Sequence, residues 1–158
     1  MTPSVQKIYG NRVRVRACGL CADETGLLMV NHAGLKAGEF WAPPGGGIEF
    51  NESATDCLVR EFAEETGIEV KVGNLLFVCE YRNHPLHAIE LFFEVFAKGG
   101  TLRTGFDPEM RKEDQIIRKA KYLNWEYLKQ MDQDTLHGAF KYAAEPSKII
   151  DLRGYFKL

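Results

Sequence analysis

The sequence predicts an α/β (α+β) fold in which a mixed β-sheet is sandwiched between α-helices. Three observations carry this expectation. Residues 13–23, VRVRACGLCAD, alternate in polarity and then turn apolar, as a strand does. Residues 53–66 carry a helical repeat with a start and a stop signal. Residues 71–82 and 87–99 read as two adjacent strands, so helices fall between strands and some strands neighbour one another in sequence.

Taken in order, a turn at 24–26 leads from the first strand into LLMVNH, read as the second half of a hairpin. Residues 33–40 form a polar, glycine-rich loop, and residues 41–47 hold two prolines and three glycines, which excludes regular structure. In the helix that follows, Ser53 suits the N-cap, Asp56 stands where a capping box needs it, and Gly67 suits a left-handed stop. After the two adjacent strands, residues 100–120 read as a long loop and 121–125 as a short strand. Helical stretches are expected at 126–131 and 135–144; the tail from Pro146 gives no signal.

The 158 residues suit one domain spanning the chain, and 45% hydrophobic content is enough for a core. A net charge of -2 excludes a global basic field, so nucleic acid is a poor candidate partner. No apolar run approaches the roughly 20 residues of a membrane span, and the first residues lack a secretory pattern; a cytoplasmic location is expected. Cys18 and Cys21 form a C-x-x-C inside an apolar strand and are read, with Cys57 and Cys79, as buried thiols.

The helix poses the functional question. At 100° per residue, Glu61, Glu64 and Glu65 share an arc of roughly 100° that abuts the apolar stripe of Leu58 and Phe62. Like charges at i, i+3 and i+4 repel. Held at the edge of a core, they need a cation or must protonate. Carboxylate oxygens suit Mg²⁺ or Mn²⁺, and Mg²⁺ is commonly shared with substrate phosphates. Gly45, Gly46 and Gly47 just before the helix let backbone approach an anion or an ion. From these residues alone, a metal–phosphate site and a plain solvated acidic face stand about equal.

The same stretch resembles the Nudix hydrolase family. Gly46, Glu52, Arg60, Glu61, Phe62, Glu64, Glu65, Gly67 and Ile68 match every fixed position and spacing of that family's box. The resemblance implies a Nudix-type α/β/α sandwich and an enzyme, a hydrolase acting on acid anhydrides. It would cut the pyrophosphate of a nucleoside diphosphate linked to another group, such as ADP-ribose or a nucleoside triphosphate, with Mg²⁺ or Mn²⁺ as cofactor. It implies Glu61, Glu64 and Glu65 as metal ligands, Glu64 the most central, with the Gly45 carbonyl in the same shell. Glu52 and Arg60 would pair to hold the loop. The general base varies across the family; Glu113 is favoured here over Glu80, Glu90, Glu94 and Glu109. Trp41, Gly47 and Arg82 are candidate substrate contacts. A catalytically silent, Nudix-like nucleotide sensor is the alternative, and pairing as a homodimer stays open.

Overall fold

The computed structural model describes residues 3–33, 38–105, 112 and 117–158. Its strands form two sheets. Five strands run in the order β4-β1-β6-β5-β8, where β1 is Arg12–Leu20, β4 Gly45–Gly47, β5 Ile68–Asn83, β6 Leu86–Gly100 and β8 Gly154–Lys157. Three more run β3-β2-β7, with β2 Gly26–His32, β3 Phe40–Ala42 and β7 Ile117–Asn124. β1 lies parallel to β6 and antiparallel to β4, which makes the larger sheet mixed, as expected.

Helices cover both sides. α2, Ala54–Thr66, lays Cys57, Leu58 and Phe62 against Ala17, Leu28, Val70 and Val95. On the other side, α3 (Trp125–Gln130) and the 3-10 turns after it bring Leu128, Leu136, Phe140 and Ile149 onto Cys18, Met29, Phe77 and Phe92. The period-2 geometry of a strand divides β1 between these cores: Ala17 faces α2, and Cys18 faces away from it. Both faces of β2 are covered, so every residue of it is buried. A short N-terminal helix, α1 (Pro3–Tyr9), precedes β1.

The α2 termini follow their signals. Ser53 is the N-cap and its hydroxyl accepts from the Asp56 N–H. Gly67 takes φ 75°, a left-handed conformation that costs a side-chain-bearing residue, and closes the helix. Beyond it, the Arg103 and Gly105 N–H groups donate to the Thr66 and Glu65 carbonyls, satisfying acceptors the helix end leaves open.

Four expectations are corrected. The turn at 24–26 exists, tied by Asp23 Oδ1, which accepts from the Thr25 and Gly26 N–H groups. The hairpin pairs only at its base, through the antiparallel Ala22–Leu27 bridge and the Leu28 N–H donating to the Cys21 carbonyl; β4 and β6 already occupy both edges of β1, so β2 turns away to pair with β3 and β7. Residues 41–47 are not wholly irregular, because the two prolines sit between β3 and β4 rather than inside either. The strand expected at 121–125 is β7, which begins at Ile117 and stops at Asn124, where Asn124 caps α3. The tail supplies a 3-10 turn, Pro146–Asp151, and the edge strand β8, parallel to β5.

Candidate active site

A cavity of about 400 Å³ opens where β4, α2, β1 and β6 meet the turn after α3. One wall is local in sequence. β4 supplies Gly45, Gly46 and Gly47; α2 supplies Arg60, Glu61, Glu64 and Glu65. Glu65 is buried and its Oε2 accepts from the Gly45 N–H at 3.1 Å. The Glu61 carboxylate lies directly over Gly46, in the place a Cβ would take. Any larger residue at 46 would push that carboxylate aside.

Arg60 joins the acids. Its Nε and Nη2 donate to the two Glu52 oxygens at 2.8 and 3.0 Å, and its Nη1 donates to Glu61 Oε1 at 2.8 Å and Glu64 Oε2 at 3.4 Å. The Glu52–Arg60 pair therefore forms as expected and fixes the loop before α2 onto the helix. Hydrogen bonding from Arg60 holds Glu52 below the usual carboxylate range. Glu61 goes the other way. Burial, with Glu64 adding to it, pushes its carboxyl up to about 7 despite Arg60. The negative charge on this wall is thus under-compensated. As placed, among the described residues no three His, Cys, Asp or Glu groups converge closely enough to cage an ion; the Arg60 guanidinium stands between Glu61 and Glu64.

The floor is assembled from distant residues. Glu90 of β6 is 3% exposed and uses both oxygens: Oε2 accepts from Arg16 Nη1 at 2.5 Å, Oε1 from His137 Nε2 at 2.8 Å. His137 Nδ1 accepts from the Ala139 N–H at 3.1 Å, which leaves the proton on Nε2 facing Glu90. Burial alone would raise the Glu90 carboxyl, but His137 and Arg16 outweigh it and hold it at about 2. Arg16 Nη2 reaches the Gly45 carbonyl at 3.3 Å, so floor and wall meet on one peptide. His32 also lines the floor; burial, then Arg16 and His137, push its imidazole down to about 3, and its Nδ1 is buried without a partner. Aromatic rings at Phe40, Tyr81 and Tyr142 and cations at Arg14 and Lys141 complete the lining.

The expected residues divide accordingly. Glu61, Glu64, Glu65, Gly45, Gly46, Gly47 and Arg60 share one wall of the cavity. Trp41 does not line it: it is 2% exposed and packed in the core facing α3, out of reach for stacking on a base. Arg82 is exposed and stands outside the lining. Glu90, considered as a base, has no free oxygen. Glu109 and Glu113 lie outside the described residues. Arg16, His32 and His137 were not legible as site residues. The hydrogen bonds from Arg16 and His137 to Glu90 join residues 74 and 47 apart in sequence, and no local pattern marks such a meeting.

An acidic helix face is set against a glycine edge strand in a cavity lined by both sheets, and the proteins this chain is similar to are named as hydrolases of pyrophosphate linkages. The family profile of the NUDIX domain matches residues 10–142, and the chain belongs to the Nudix family. Among curated proteins it is similar to an 8-oxo-dGTP diphosphatase of Proteus vulgaris, 33% identical over 98 residues, covering 56% of this chain and 88% of that protein. It is also similar to an ADP-ribose pyrophosphatase of Methanocaldococcus jannaschii, 32% identical over 91 residues, covering 56% of this chain and 54% of the relative. Among solved structures, a MutT Nudix hydrolase from Burkholderia pseudomallei aligns with TM-score 0.66 at 18% identity, covering 89% of this chain and 97% of that one, a likeness of fold. No helix of the described residues is long and apolar enough to cross a membrane.

Proposed function

We propose that the chain hydrolyses the pyrophosphate bond of a nucleoside diphosphate linked to a second group, with Mg²⁺ or Mn²⁺ as cofactor. One observation carries the reading: three helix carboxylates and a glycine strand form a single wall of a cavity large enough for a nucleotide. The donor set fits a hard divalent ion. It is made of oxygens, it includes the half-buried Glu61 carboxyl raised to about 7, and Gly46 leaves space where Glu61 meets the strand.

Glu61, Glu64, Glu65 and the Gly45 carbonyl would hold the ion. When bound there, it neutralises diphosphate charge and activates the attacking water. The chain's own groups do the rest. Arg60 keeps the loop on the helix through Glu52. Phe40, Tyr81 and Tyr142 offer apolar faces to a base or sugar, and Arg14 and Lys141 offer charge to phosphate. With both Glu90 oxygens occupied, Glu113 is assigned the water's proton, on the family resemblance alone.

The test is a panel of nucleoside diphosphate derivatives, ADP-ribose and 8-oxo-dGTP among them, assayed for phosphate-containing products with Mg²⁺, with Mn²⁺ and with chelator. Glu64→Gln should retain the fold and lose about a hundredfold or more in turnover, since several kcal/mol of charge stabilisation depends on the ion. Parent-rate hydrolysis by that variant would end the assignment.

A further inference from the structure

The floor of the cavity is a continuous chain of buried polar contacts. It starts at the Ala139 N–H, passes through His137 to Glu90, from Glu90 to Arg16, and ends on the Gly45 carbonyl. The same peptide strand is held from its other side by Glu65, through the Gly45 N–H. Gly45 is therefore gripped at both its polar groups, by α2 on one side and by the relay on the other. His137 is itself fixed, because its N–H donates to the Trp41 carbonyl at 2.9 Å.

Two features are hard to explain by folding alone. Burying a carboxylate is expensive, and apolar groups of similar volume commonly serve stability as well or better. Moreover the relay is incomplete as a purely structural device. The Arg16 Nε–H is buried with no acceptor, whereas buried donors in a native core are nearly always satisfied. The Glu90 charge has a clear electrostatic use. It offsets the Arg16 guanidinium, which otherwise would draw on Glu61 and Glu65, the same wall carboxylates an ion needs.

The geometry points to Glu90 and His137 as positioning residues that act through Arg16: they hold the Gly45 carbonyl in place as an ion ligand and keep Arg16 from repelling that ion. The inference rests on the proposed metal–diphosphate reading of the wall. Neither Glu90 nor His137 touches the substrate in this role. The chemistry belongs to the wall and its ion, and the relay sets where one ligand oxygen stands.

The experiment uses nucleotide-free protein titrated with Mn²⁺ and followed by the electron paramagnetic resonance of the free ion, alongside steady-state turnover and thermal midpoints. His137→Ala removes the anchor, and Glu90→Gln removes the compensating charge. Each should raise the Mn²⁺ dissociation constant about tenfold and lower kcat by a similar factor, as losing an outer partner of a metal ligand does. His137→Gln, whose amide N–H can replace Nε2–H toward Glu90, should recover both to within about threefold of the parent. Ile149→Ala is the control for destabilisation elsewhere. It empties a fully buried position of the core, in the Pro146–Asp151 turn, and should lower the midpoint while leaving Mn²⁺ binding and kcat unchanged.

If His137→Ala and Glu90→Gln behave like Ile149→Ala, the positioning role is overturned while the site reading stands. If Glu64→Gln also binds Mn²⁺ and turns over as the parent does, the wall itself is misassigned and the relay's role falls with it.

Discussion

The two sides of the cavity solve the problem of charge in opposite ways. The wall gathers its charges within residues 45–65, leaves all but Glu65 partly exposed, and lets Arg60 share itself among three carboxylates. The floor brings Arg16, Glu90 and His137 together from three distant segments, and pairs the buried Glu90 with full hydrogen bonding. On the wall, loss of a partner can be repaired by water. On the floor it cannot at Glu90 and His137, which are buried. The contrast teaches that the wall can trade partners, as binding an ion requires, whereas the floor serves by staying fixed.

The largest expected effect breaks the floor. Glu90→Ala leaves the Arg16 guanidinium without its counter-charge and should cost about 3 kcal/mol or more of stability, read by urea denaturation. A loss under about 1 kcal/mol would show the floor to be as adaptable as the wall. Next comes the wall. In Gly46→Ala the new Cβ meets only the end of the Glu61 side chain, not backbone. Turnover should fall by about a hundredfold, the scale of an ångström's misplacement, with little change in midpoint. Equal losses of stability in the two variants would erase the distinction.

The smallest effect, within one pH unit below 6.5, is a pH dependence belonging to the floor. His32 in the folded chain titrates at about 3, against 6.5 for the free side chain. Its folded value is depressed, so the stability it contributes is full above pH 6.5 and is lost as pH falls toward 3. By one pH unit below 6.5 the loss should reach about 1.4 kcal/mol. Glu90, also depressed, adds a second loss between about 4.5 and 2. His32→Gln should flatten the upper step and leave the lower one, as followed by denaturation at a series of pH values.

The same contrast explains what was legible beforehand. The wall was readable because its members lie on one helix and one adjoining strand, where the 3.6-residue period and the cap signals at Ser53 and Gly67 fix their relation. The floor was not, because pairing between β1 and β6 spans more than seventy positions, and only that register sets Arg16 beside Glu90. Glu90 did carry one signal. It shares a strand face with Phe92, a core residue, and an acid on a core face needs a buried partner. The hairpin's short reach has the same origin: the turn at Asp23 and the Ala22–Leu27 bridge are local, but whether β2 goes on pairing with β1 depends on β6, some sixty positions on.

One feature of β4 reaches beyond the site. It is the terminal strand of its sheet, and an exposed strand margin is normally an invitation for another molecule to zip on. Here the invitation is withdrawn. The strand is three residues long, and its outward carbonyls and amide are taken by Arg16, Arg60 and Glu65. The groups that ready the strand for a small ligand also deny it to a neighbouring chain, so any strand-to-strand association at this sheet is left to the opposite margin, β8.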